Sequence, residues 1–258
     1  MNSCALEFIK FYSQFFSIGH TTVKAPRKIN VLILAPHPDD ECLMSPYALR
    51  LLLENKANVH AASVTIGSNT ARQAERKIEF QNACQVMKFT PHILSQEWDQ
   101  KAEEVKEIIK KEKINFIVSP HLHDHHPAHI KTGELARQVM KEISFEGIYL
   151  ESEFWGELTA PNLLIEVTKE AFELSFEALT KHTGEVSRNP YHLRLAANLV
   201  NSVRRGAEKV ATLGSLAPTF AFGVLYQAHQ VQLGTLKALP NQTLDSAADL
   251  GAIFEAAN

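Results

Sequence analysis

The sequence predicts an α/β fold, a three-layer sandwich in which a mainly parallel central sheet is covered by helices on both faces. Three observations predict it. Apolar runs bounded by turn residues recur along the chain, and they are continuous rather than alternating, as in strands buried on both faces. Segments with apolar residues at a 3.6 period fall between these runs. Strand and helix therefore alternate from about residue 30 to residue 182, the pattern of an open sheet with crossover connections.

Taken in order, VLILA at 31–35 is the first strand, and Met44, Tyr47 and Leu51 mark the apolar stripe of the helix after it. ANVHAASVTI at 57–66 is the next strand, and Ala102, Val105 and Ile109 mark a helix that leads to the strand INFIVS at 114–119. Ile130, Ala136, Met140 and Ile143 define a further helix, followed by strands GIYL at 147–150 and NLLIEV at 162–167. A last helix spans 191–212 with Ala196, Val200, Val203, Ala207 and Val210 on one stripe, and FAFGVLY at 220–226 closes the sheet. Residues 1–29 read as a helical extension whose apolar run is broken by Glu7 and Lys10 and lacks the basic start of a signal peptide. Residues 30–236 form the domain, and the polar, alanine-rich residues 237–258 form a tail.

The 258 residues are 45% hydrophobic and 21% charged with a net charge of -3, the composition of a soluble globule without excess basic charge. No nucleic-acid partner is expected of such a surface. Three cysteines, at 4, 42 and 84, form no CxxC pair, which favours a reducing, cytoplasmic location. No run reaches the roughly 18 apolar residues of a membrane span. Assembly into a homo-oligomer is compatible with all of this.

In an open α/β sheet, ligands bind outside the carboxyl ends of the strands. Two loops there carry chemistry. APHPDDE, 35–41, leaves the first strand, and PHLHDHHPAH, 120–129, leaves INFIVS with five of the chain's 12 histidines between His121 and His129. Alone, the first could merely place Asp39, Asp40 and Glu41 at the positive end of a helix, and the second could be a polar surface tract. Together they offer two histidines and a carboxylate, the donor set of an open zinc site that keeps one position for water. His37 and Asp40 can face one ion across a tight turn, with Asp39 on its open side. A carboxylate there can take a proton from water whose pKa the ion has lowered to about 7. His126 is placed to stabilise an oxyanion and protonate a leaving amine. Amide hydrolysis suits these parts.

PHPDDE at 36–41 and DHHPAHIKTG at 124–133 resemble the two signature loops of the LmbE-like, or PIG-L, family of zinc-dependent N-deacetylases. The resemblance spans most of the chain and implies a Rossmann-like sheet. It implies His37, Asp40 and His129 as ligands of Zn2+, with Fe2+ or Co2+ fitting the same donors. It implies Asp39 as general base, His126 on the oxyanion side, and an N-acetylglucosamine-type conjugate as the small-molecule substrate. ARQAERKIEFQNACQVM, 71–87, resembles a family helix that places Arg76 near substrate with Glu79 in support, and Asp124 matches a family aspartate counted with the substrate-binding residues. EFWGELTAPNLLIEV, 153–167, and NSVRRGAE, 201–208, resemble weaker family segments. One position departs. Ala128 stands where the family commonly has an aspartate, which should lower the His126 pKa and loosen its ring. Rival readings are a metal-retaining sugar-binding protein with little turnover, an amidase for another acyl group, and a phosphoesterase, which usually needs two metals. A further rival, a nucleotide-binding Rossmann protein, lacks its warrant because no GxGxxG follows the strand at 31–35.

Overall fold

The computed structural model describes residues 3–16, 28–211, 214 and 216–254. Helix α1 (Ser3–Ser13) precedes β1 (Asn30–Ala35), α2 (Asp40–Met44), α3 (Pro46–Asn55) and β2 (Asn58–Ser63). The helix expected after the first strand is thus two helices, because Pro46 has no N–H to continue α2 and instead starts α3. Next come α4 (Gln73–Met87), β3 (Thr90–Ile93), α5 (Trp98–Lys111), β4 (Phe116–Pro120), α6 (Pro127–Glu142) and β5 (Gly147–Ser152). The chain continues through β6 (Leu163–Glu166), α7 (Lys169–Leu179), α8 (Thr183–Arg188), α9 (Tyr191–Lys209), β7 (Gly223–Gln232), β8 (Thr235–Ala238) and β9 (Gln242–Leu244).

The strands form one sheet in the order β3-β2-β1-β4-β5-β7-β6-β9, with β8 paired to β7. Pairs from β3 through β5 are parallel, and β7 runs antiparallel to both β5 and β6. Alternate residues of β1 enter opposite cores: Val31 and Ile33 pack with Phe80, Phe116, Phe172 and Phe176, whereas Leu32 and Leu34 pack with Val105, Ile109, Leu135 and Val139. That is why the strand reads as an unbroken apolar run, and each such side chain contributes about 1.5–3 kcal/mol of burial. Helices therefore cover both faces, as expected.

Several expectations shift. On α9 the buried stripe is Leu195, Ala196 and Leu199, with Val210 further on, and Val200 is exposed. The closing strand starts three residues later than 220 and runs on through the polar Gln227, His229 and Gln230, because its partners are antiparallel strands rather than a two-sided apolar cover. Residues from 237 join the fold: β9 pairs with β6, and the Tyr47 hydroxyl donates to the Leu250 carbonyl at 2.9 Å. Helix α1 lies on α7 through Phe8 stacked on Phe176 at 5.4 Å. Residues 1, 2 and 17–27 of the expected extension, residue 212 of the expected last helix and residues 255–258 of the expected tail lie outside the described residues. No described helix is long and apolar enough to cross a membrane. Cys42 and Cys84 are buried and free.

From β1 the chain builds outward to β2 and β3, then returns to lay β4 and β5 on the other side of β1. The reversal leaves a crevice at the carboxyl ends of β1 and β4, the place where sheets of this kind hold ligands. Both motif loops leave from these two strands.

Candidate metal centre

The first loop closes on itself through Asp40. Its Oδ2 accepts the His37 N–H at 2.9 Å, and the Asp40 N–H donates to the His37 carbonyl at 3.2 Å. Between them Asp39 adopts φ 117, a region that costs a non-glycine residue about 1–3 kcal/mol and persists only when its surroundings enforce it. Two contacts enforce it here. The Asp39 N–H donates to Glu41 Oε2 at 2.8 Å, and Arg76 Nη2 donates to the Pro38 carbonyl at 2.9 Å.

The second loop is organised by Asp124 and by the start of α6. Asp124 Oδ1 accepts the His126 N–H at 2.8 Å, and Pro127 opens the helix. His126 is the N-cap, its Nδ1 accepting the Ala128 N–H at 3.2 Å. That bond leaves the ring proton on Nε2. His129, one turn on, is buried and points toward the first loop.

The two loops converge. Asp40 Oδ2 lies 3.2 Å from His37 Nδ1 and 3.4 Å from His129 Nε2. A tetrahedral ion with bonds of about 2.0–2.1 Å separates its ligand atoms by about 3.3 Å, the spacing that Asp40 Oδ2 keeps from each of the two histidine nitrogens. The other His129 nitrogen faces Asp124 Oδ2 at 3.3 Å, the carboxylate backing that fixes the ring of a metal-binding histidine. His126 joins the cluster: one ring nitrogen each from His37, His126 and His129 lie within 4.8 Å of one another. The residues present fit a divalent cation.

The electrostatics agree. Burial opposes the charged form of His129, but the neighbouring carboxylates of Asp40 and Asp124 outweigh it and push the pKa up to about 10. Burial would raise Asp40, yet the charge and hydrogen bond of His129, with the His37 contact, hold it well below the ordinary carboxylate range. A proton thus sits where a cation would. Asp39 is raised above the ordinary value by burial and by the like charges of Asp40 and Glu41. His126 is lowered by burial and by the charges of His37 and His129. Its ring is held at Nδ1 by the Ala128 N–H.

These groups line a cleft of about 680 Å³, within the size range that takes drug-sized ligands. His37, Asp39, Asp40, Arg76, His126 and His129 all face it, as do Trp98, Trp155 and Tyr191. Asp124 does not line it: its side chain is buried behind His129, so it orients a donor rather than reaching a ligand. Arg76 also lies 3.8 Å from Asp39 Oδ1 and from Glu185 Oε1. Glu79 turns away from it, accepting from Thr183 Oγ1 and the Gly184 N–H at 2.9 Å each. His121, which had no expected role, is buried and bonds the Gly156 carbonyl at 2.9 Å, fastening the histidine loop to the EFWGE segment. Of the 201–208 arginines, Arg205 is buried and binds Glu153 and the Leu158 carbonyl, while Arg204 pairs with Glu208 on the surface.

Sequence reasoning missed the layer beneath the loop. His182 Nε2 lies 2.6 Å from Glu41 Oε1, with both side chains fully buried. The partners are 141 residues apart, and only the acidic residue ending PHPDDE hinted that something must face it.

His37, Asp40 and His129 thus meet at the topological switch point of an open α/β sheet. Residues 32–140, which contain both loops, match the family model described as PIG-L: GlcNAc-PI de-N-acetylase. No curated protein matches the chain significantly. Among solved structures, N,N'-diacetylchitobiose deacetylase from Pyrococcus horikoshii has 16% identity and a TM-score of 0.58, covering 80% of this chain and 84% of its own. A zinc-inhibited form of teicoplanin deacetylase has 14% identity and a TM-score of 0.58, covering 83% and 100%. The 4-carboxy-2-hydroxymuconate hydratase of Pseudomonas putida KT2440 has 14% identity and a TM-score of 0.60, covering 78% and 96%. At these identities the likeness establishes the shared fold.

Proposed function

We propose that this chain is a metal-dependent N-deacetylase that removes the acetyl group from an N-acetylated amino sugar conjugate of the N-acetylglucosamine type. The observation that carries the reading is the convergence of His37, Asp40 and His129 at ligand spacing, with Asp39 and His126 on the same cleft. His37, Asp40 and His129 would hold the cation, zinc being the first choice for these donors and Fe(II) or Co(II) alternatives. When bound, such a cation supplies Lewis acidity toward a carbonyl oxygen and toward water.

The chain's own groups complete the reaction. Asp39, made more basic by its burial and its acidic neighbours, takes a proton as a water oxygen bonds to the acetyl carbon. His126 presents Nε2–H to the carbonyl oxygen as it becomes an oxyanion. Because its pKa is lowered, the ring is neutral at pH 7 and gives a hydrogen bond there. The proton held on Asp39 is then returned to the nitrogen as the C–N bond breaks, giving acetate and a free amine, so His126, a neutral ring, serves the oxyanion and not the amine proton expected of it. Arg76 fixes the Asp39 turn through Pro38 and faces the cleft beside it. The substrate class rests on the PIG-L match of residues 32–140.

The test is chelation and reloading. Protein stripped of metal should release no acetate from N-acetylglucosaminides and should recover with about one equivalent of a divalent ion per chain. The His129→Ala variant should neither retain the ion nor recover. A metal-retaining binder without turnover predicts stoichiometric ion and no acetate, and a stoichiometry near two revives the phosphoesterase.

A further inference from the structure

Asp39 holds a backbone conformation that L-residues rarely adopt, and its support reaches into the second half of the chain. The Asp39 N–H donates to Glu41 Oε2 at 2.8 Å, and Glu41 Oε1 receives His182 Nε2 at 2.6 Å. Glu41 and His182 have no exposed side-chain surface, so neither can exchange its partner for water. His182 is itself fixed by backbone at both ends: its N–H donates to the Leu179 carbonyl at 3.1 Å, and its carbonyl accepts from Glu185 and Val186 at 3.1 and 2.9 Å. The second ring nitrogen, Nδ1, is buried and has no hydrogen-bond partner among the described residues. The ring therefore makes one directional bond, and that bond goes to Glu41.

We propose that His182 is a positioning residue for Asp39, acting through Glu41. A buried carboxylate with one free oxygen would rotate toward any donor within reach. With Oε1 held by His182 and by the Cys42 thiol at 3.3 Å, the other oxygen is aimed at the Asp39 N–H. The line His182–Glu41–Asp39 thus transmits the position of the α7–α8 junction to the carboxylate on the cleft. Without the His182 donor, Glu41 loses its orientation, the Asp39 N–H is released, and the turn relaxes toward an ordinary conformation that carries the side chain away from the cleft. Small displacements of this kind cost about 10²-fold in rate. The proposal rests on the reading of Asp39 as the base, and its test separates the two.

The test uses the metal-loaded full chain with His182→Leu, which removes the donor at similar volume, and His182→Gln, which keeps an N–H donor. The direct readout is hydrogen exchange of the Asp39 amide, followed by NMR. In the wild type that amide should be protected, and His182→Leu should expose it by about tenfold or more while neighbouring strand amides keep their protection. Acetate release by folded His182→Leu should show kcat lower by about 10²-fold at unchanged KM and metal content, with much of it restored in His182→Gln. A purely structural role would instead lower kcat only in proportion to the unfolded fraction seen by calorimetry. The proposal is overturned if folded His182→Leu keeps wild-type kcat and Asp39 exchange, or if His182→Gln falls as far as His182→Leu. Should His182→Leu not fold, wild-type Asp39 exchange as fast as an open loop amide overturns it, and protection that persists in His182→Gln supports it. A wild type that hydrolyses no acetamide refutes the functional reading, while the exchange measurements still decide the positioning.

Discussion

In metal-free protein the His129 ring should remain an imidazolium well into alkaline pH. The pKa of about 10 arises because the carboxylates of Asp40 and Asp124 flank the ring at 3.4 and 3.3 Å and outweigh its burial. Against an ordinary value of about 6.5, this corresponds to about 5 kcal/mol of preference for the charged ring. The pKa is raised by folding, so its contribution to the stability of the metal-free fold is complete below about pH 6.5 and fades as pH rises through about 10. A cation must displace that proton. At pH 7 its apparent affinity should therefore lie about a thousandfold below the limiting value and rise tenfold per pH unit toward 10. The assay is a titration of the His129 ring nitrogens by 15N NMR in stripped protein, with thermal melts over the same range. Asp124→Asn should lower the midpoint by about 1–2 pH units by removing one of the two charges. A wild-type midpoint near 6.5, or no response to Asp124→Asn, would refute the electrostatic account of the site.

Asp39→Asn should keep the bound ion and lower kcat by about 10²–10⁴-fold, since it deletes the base and no ligand; metal content by mass spectrometry together with initial rates checks both halves. Gly156→Ala would place a Cβ 2.9 Å from Asp124 Cα and 3.2 Å from the His123 carbonyl. Overpacking against backbone there should cost about 1–3 kcal/mol in denaturant melts and weaken metal binding by moving Asp124. Arg205→Ala leaves the Glu153 carboxylate buried without its guanidinium and should destabilise the fold by about 3–5 kcal/mol, with no direct effect on the donors.

The parts of the fold legible in the sequence were those whose burial is symmetric or whose chemistry is local. β1 and β4 are apolar on both faces because each face enters a different core, and the segments that leave them carry His37 and Asp40 just past β1 and His129 in the first turn of α6. β3 escaped because it is a short edge strand, TPHI, that is only partly buried and contains a proline tolerated there by its exposed side. β8 and β9 escaped because antiparallel and terminal strands with polar faces carry no apolar run to read. Within the site, the converging loops follow from topology, whereas the partner of each buried charge does not. His182 beneath Glu41, Arg72 at 2.6 Å from Glu185 and Arg76 on the Pro38 carbonyl are set by how α4, α7 and α8 pack, across separations that no periodicity records. The role of Asp124 illustrates the same limit: its motif position was visible, but only the packed loop shows that it faces His129 instead of the cleft.

The most direct test of the central claim is the joint release of acetate and free amine from a panel of N-acetylglucosaminides by protein carrying one equivalent of zinc, with Asp39→Asn as the blank. Equal amounts of acetate and amine, absent from the blank, are what this account predicts. Metal-loaded, folded protein that releases neither from any member of the panel would contradict it.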